Sequence, residues 1–144
     1  MKKAFILTGN ARAKVCQDID IDFIRYSLDD GVSLLINSNE QMFTEKLRSL
    51  LRFGAVSTRY KDIFDMFYLC GFADRKKLAL CLKSYIFDDS EMRESDIAGG
   101  LGRLNRVFSD KRYLKRLDDS DKKRIDVSSQ DTAYTITHFL ESLA

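Results

Sequence analysis

The chain contains no proline in its 144 residues. Without it every backbone donor is kept and no ring breaks a helix, which suits a largely helical protein. Histidine occurs once, at His138, and cysteine three times, at Cys16, Cys70 and Cys81. That scatter lacks the ligand spacing of a zinc site, and an odd, dispersed set reads as reduced thiols in a cytoplasmic protein. No apolar run approaches the length of about 18 residues that a membrane span needs. The apolar start stops at Thr8, Gly9 and Asn10, too soon for a secretory signal. Also missing are a Walker A loop, a dinucleotide fingerprint and a serine nucleophile elbow. These absences set aside membrane, disulfide-framework, zinc and P-loop classes. The expected setting is cytoplasmic, with no membrane partner.

What is present describes an ordinary globular chain, 44% hydrophobic and 32% charged. Residues 1–144 are long enough for one domain with a real core. The net charge of +2 is unevenly spread. Asp18, Asp20, Asp22, Asp29 and Asp30 face a single cation, Arg25, within residues 18–30. Residues 103–124 hold nine basic residues (Arg103, Arg106, Lys111, Arg112, Lys115, Arg116, Lys122, Lys123 and Arg124) against four aspartates. An acidic strand and a basic helical stretch would serve a metal and a polyanion, and solvated faces are the plain alternative.

The N-terminal third reads as strands. Lys3 to Thr8 is short and apolar, and "KVCQDIDIDF" from Lys14 to Phe23 alternates. Val15, Ile19, Ile21 and Phe23 share one face, and Asp18, Asp20 and Asp22 the other. These two runs predict an antiparallel hairpin, and "VSLLI" from Val32 a third strand. Aspartates on one strand face lie about 6.6 Å apart, close enough to repel without a counter-ion. A divalent cation between them is one solution, a wet sheet face the other.

After Ile36 the period becomes helical. Ser38 and Gln41 form a capping-box pattern, Phe43, Leu47, Leu50 and Leu51 a stripe, and Gly54 an end. A second helix ends near Gly71. Asp74 caps a third, with Leu78, Cys81, Leu82 and Tyr85 as its stripe. Weaker patterns fill residues 93–118, where Gly99 and Gly100 predict a break or close-packing point. The last helix starts at Ser128 or Ser129 and buries Ala133, Ile136, Leu140 and Leu143. The expected fold is α+β, a small antiparallel sheet (1–37) with its apolar face packed against a five- to six-helix portion (38–144).

The second of these helices carries "RYKDIFDMFYL", residues 59–69, where Arg59, Lys61, Asp62 and Asp65 interrupt an otherwise apolar segment. Asp62 and Asp65 are three apart and share a face. They are either a solvated edge or part of a site. Lys46, beside the stripe of the preceding helix, reads as a snorkelling surface residue or as a phosphate contact. His138 is isolated from other candidate ligands and reads as structural or exposed.

The stretch "TEKLRSLLRFGAVSTRYKDIFDMFYL", residues 44–69, resembles the paired "EKL…R…R-x-KD-x-x-D-L" helices of AbiEii/AbiGii nucleotidyltransferase-like toxins, in the polymerase β-like nucleotidyltransferase superfamily. "AKVCQDIDIDF" just upstream resembles the strand before those helices, in the same order and spacing. The resemblance implies a triphosphate contact at Lys46, the late catalytic aspartate at Asp62 and its companion at Asp65. It also implies nucleotide-binding roles for Arg59 and Lys61, and a metal-binding carboxylate at Asp20, with Asp18 and Asp22 as alternatives. Nothing in the chain matches the Gly-Ser helix start or the acidic metal-holding strand with which the family begins. The chain is therefore expected to be the C-terminal portion of a nucleotidyltransferase that moves NMP from NTP to a tRNA or protein acceptor. It would be inactive alone, and would use Mg²⁺ only with the missing half supplied. The expected partners are NTP, RNA through residues 103–124, a cognate antitoxin, and a second copy or a separately encoded N-terminal half at the open sheet edge. The competing reading is a non-catalytic remnant that binds a partner or RNA.

Overall fold

The computed structural model describes residues 13–16, 23–28, 33–121, 123 and 125–144, with side chains from residue 36 onward. Three short strands, β1 (Ala13–Cys16), β2 (Phe23–Leu28) and β3 (Ser33–Asn37), pair antiparallel in the order β1-β2-β3. Cys16 lies opposite Arg25, and Phe23 opposite Asn37. The two ends of the run expected as one strand, Lys14 to Cys16 and Phe23, thus lie on two antiparallel strands, which corrects that expectation. β2 is rich in aromatic and branched residues, the composition that suits a pleated surface. The expected strand at 3–8, and Asp18, Asp20 and Asp22, lie outside the described residues. So do the strand side chains that would test which sheet face is covered.

The helical portion begins with α1 (Asn39–Phe53). Ser38 caps it, its hydroxyl accepting from the Gln41 amide at 3.0 Å. The reciprocal half of the capping box is not made. Gln41 Nε2 donates to Glu45 instead, and its buried Oε1 has no partner. Phe43, Leu47, Leu50 and Leu51 are buried as the helical period requires. α1 ends at Gly54, the one described residue with positive φ (60°), a conformation that glycine reaches at least cost. A 3₁₀ turn, Gly54–Val56, leads to α2 (Tyr60–Leu69).

This connection is held from outside. Arg116 donates to the Ala55 carbonyl at 2.7 Å, and a Cβ on Gly54 would meet the Arg103 guanidinium at 2.9 Å. Such anchoring fixes how α1 and α2 cross, and with it the spacing of their polar side chains.

α3 (Arg75–Leu82) starts at Asp74, whose carboxylate accepts from the Lys77 amide at 2.9 Å. The helix runs into a π turn, Lys83–Phe87, closed by Asp88 N–H to the Lys83 carbonyl at 2.8 Å. The wider turn slides the apolar stripe by one residue. Ile86 is fully buried, and Tyr85, expected in the stripe, is half-buried.

α4 (Ile97–Phe108) carries Gly99 and Gly100 in its first turn, so the expected break does not occur. Asp96 caps this turn, accepting from the Gly99 amide at 2.7 Å. A Cβ on Gly100 would meet Phe87 at an ordinary 4.0 Å, whereas one on Gly99 would press on the Asp96 carboxylate at 3.3 Å, so of the two only Gly99 is a close-packing point. α5 (Lys111–Asp118) and α6 (Ser129–Glu141) follow, capped by Asp110 and Ser128.

α1 lies against α2, α3 and α4, and α6 against α2, α4 and α5; β3 meets α1. Phe43, Met66, Leu78, Leu104, Leu117 and Ile136 are fully buried between them, and Phe43 meets Phe139 edge-on at 5.8 Å. Each side chain of this size contributes about 1.5–3 kcal/mol by leaving water. No described helix is long and apolar enough to cross a membrane.

Candidate functional site

The seam between α1 and α2 is apolar along its length and charged at one edge. There α1 presents Lys46 and α2 presents Asp62 and Asp65, one turn apart. Lys46 Nζ donates to Asp62 Oδ1 at 3.1 Å and to Asp65 Oδ2 at 2.9 Å. The Lys46 side chain is 20% exposed, Asp62 10% and Asp65 31%. Burial pulls the lysine pKa down, but the two carboxylates together outweigh it and the pKa is raised. Lys46 is thus a fixed positive charge.

Two cations close the cluster from the solvent side. Arg59 Nε approaches Asp62 Oδ2 to 2.6 Å, and Lys61 Nζ lies 3.5 Å from Asp65 Oδ2. The Arg59 contact satisfies charge but not hydrogen-bond direction, so Asp62 Oδ2 is buried without a directed donor. Three cations therefore serve two carboxylates. The structure brings Lys46, Arg59, Lys61, Asp62 and Asp65 together at this edge. Asp20 lies outside the described residues.

A groove of about 310 Å³ opens beside Lys46. Arg48, Ser49, Arg52, Phe53 and Arg59 line it with Lys46, and Glu45 is the one acid on its wall. Arg48 is engaged by Asp89 on its guanidinium tip, whereas its Nε and the Ser49 hydroxyl are buried without partners. Arg52 sets its guanidinium 6.0 Å from the Phe53 ring centre, and that ring is 52% exposed. Sequence reasoning passed over Ser49, Arg52 and Phe53 as site residues. The signal was there: Lys46, Ser49 and Phe53 fall at helical spacing on one face of α1.

The basic stretch is more dispersed. Arg106, Lys111, Arg112, Lys115 and Arg116 are exposed on α4 and α5, Lys123 pairs with Asp118 at 2.8 Å, and Lys122 and Arg124 lie outside the described residues. His138 is exposed on α6, stacked on Tyr134 and 3.5 Å from Glu141. Burial pushes the Cys70 thiol up to about 12, far from a reactive thiolate.

Chemically, a cation clasped by carboxylates and opening on a basic groove can attract and orient an anion. The sequence comparison carries this further. The family model of the AbiEii nucleotidyl transferase toxin, type IV toxin–antitoxin system, matches residues 8–136, and the chain belongs to that family. Membership brings nucleotidyl transfer as the family activity, an NTP as donor and an antitoxin as counterpart. Neither a curated protein nor a solved structure matches the chain.

Proposed function

We propose that Lys46, Asp62 and Asp65 form the helical wall of a nucleotide site, in a protein that moves NMP from an NTP to an RNA or protein acceptor. One observation carries this reading. An ammonium has three donors, and Asp62 and Asp65 use two of those on Lys46. The third is left for a phosphate oxygen arriving from the groove, with no need to dismantle the clasp. Asp62 and Asp65 act as positioning residues for the ammonium, and Arg59 and Lys61 add attraction at the rim. Positioning and charge neutralisation are most of what phosphoryl-group chemistry asks of a protein.

Nucleotidyl transfer generally employs a divalent metal. Among the described residues no group of three or more His, Cys, Asp or Glu side chains gathers that would hold one. Asp62 and Asp65 are already committed to Lys46.

The reading is tested by titrating the protein with ATP and Mg²⁺ in a calorimeter, beside a Lys46→Gln variant shown by circular dichroism to be folded. The loss of one charge-assisted contact should weaken binding by about tenfold or more. Equal affinity in the two proteins would overturn the assignment. A second reading, RNA binding without transfer, draws on the exposed cations of α4 and α5. It expects salt-sensitive RNA binding that persists in the Lys46 variant.

A further inference from the structure

The groove beside Lys46 extends past the phosphate contact to an aromatic ring. Lys46, Ser49 and Phe53 lie three and then four residues apart, so they line one face of α1. Seven residues of helix separate Lys46 from Phe53 by about 10.5 Å along the axis. That distance is on the scale of a nucleotide stretched from its phosphates to its base. At the near end stand Lys46 and Arg59, and at the far end Arg52 and Phe53.

We propose that Phe53, braced by Arg52, is the platform on which the base of the bound nucleotide stacks. The proposal rests on the reading of Lys46 as the phosphate contact, and adds to it the residues that hold the other end of the ligand. Three features carry it. Phe53 is half exposed at the end of α1 and lines the groove that Lys46 enters. Its ring already holds one guanidinium at cation–π distance, an arrangement that limits its motion and leaves the remaining surface for a second planar group. Between the two ends the groove is continuous, walled by Arg48 and Ser49 on α1. A phenyl ring offers no hydrogen bond to a base edge. It therefore takes any base, favouring purines by their larger face.

Calorimetric titration with inorganic tripolyphosphate, ATP and UTP separates the two ends of the site. The wild type should bind ATP more tightly than UTP, and UTP more tightly than tripolyphosphate. Phe53→Ala should weaken ATP by about tenfold, in line with the loss of one stacked base, and leave tripolyphosphate unchanged. Arg52→Ala should weaken ATP and UTP, by less than Phe53→Ala, and leave tripolyphosphate unchanged. Lys46→Gln should weaken all three. If Phe53→Ala leaves the preference for ATP over tripolyphosphate intact, the stacking platform is overturned, whatever Lys46 does. If Lys46→Gln changes nothing while Phe53→Ala lowers ATP affinity, the platform stands and the phosphate assignment falls. A wild type that binds none of the three overturns both.

Discussion

Two ion clusters in this protein use the same residue types to opposite ends. At the α1–α2 seam one lysine is clasped by two aspartates that lie 16 and 19 residues away in the chain. At the foot of α6 one aspartate, Asp118, is clasped by Lys123 at 2.8 Å and by the Ser129 amide and hydroxyl at 2.9 and 2.7 Å. The first cluster joins two helices and faces a groove. The second is local and ties the end of α5 to the start of α6. What distinguishes a site from a brace here is the surplus: Lys46 has a donor to spare, whereas the partners of Asp118 do the work of a cap.

Removing the central residue of each cluster should show the difference at its largest. Lys46→Ala leaves two carboxylates facing one another in a partly enclosed seam and should cost about 2 kcal/mol in urea denaturation, short of the full cost of a broken buried pair. A loss below about 0.5 kcal/mol would mean that Arg59 and Lys61 alone neutralise the aspartates. Asp118→Ala should cost about 1 kcal/mol, with faster amide exchange confined to the first turn of α6. Exchange that spreads into α2 would break the distinction between brace and seam.

The pH response should divide the clusters by direction. The Lys46 pKa is raised, so its contribution is complete below the ordinary lysine range and is lost as pH climbs through the raised value. The Asp118 pKa is lowered by the Lys123 hydrogen bond and then by Ser129, against a smaller burial effect. Its contribution is present above the ordinary aspartate range and disappears as pH falls through the lowered value. Stability measured in Asp118→Asn should lose part of its acid dependence and keep its alkaline limb. Replacing Asp62 and Asp65 together by Asn leaves burial as the main influence on Lys46, so the lysine pKa should drop below its usual value, as NMR titration can show. Cys70 supplies the smallest effect and the simplest control, a half-buried group with no countercharge. Its alkylation by iodoacetamide at pH 8 should be far slower than that of a free thiol; rapid labelling would show that burial is overstated at this end of α2.

The helical half was legible to the extent that it is governed by local rules. Ser38, Asp74 and Ser128 cap the helices expected of them, and the apolar stripes of α1, α3 and α6 are buried except at Tyr85 and Leu143, which are half-buried. The face shared by Asp62 and Asp65 was equally plain, because three-residue spacing on a helix leaves no alternative. What escaped depends on contacts that spacing cannot encode. The sequence pattern joined Lys14 to Phe23 as one strand because alternation says nothing about where a chain turns back. Two adjacent glycines read as a break, yet Asp96 holds them in the first turn of α4. Lys46 was legible as a candidate phosphate contact, but its clasp by α2 was not. That clasp depends on the crossing of two helices, which Arg103 and Arg116 help to set from more than 40 residues away.

The π turn at Lys83–Phe87 has a meaning beyond geometry. A helix that gains one residue keeps its flanking hydrogen bonds by widening a single turn, so a π turn is the form in which a one-residue insertion is tolerated. Deleting Tyr85 would let α3 continue as an ordinary helix but rotate everything after it by about 100°. Asp89, which engages Arg48 from just beyond this turn, would swing away from α1 and free that guanidinium. The charge of the groove is thereby linked to the length of the neighbouring helix α3, and a single codon gained or lost there would retune it.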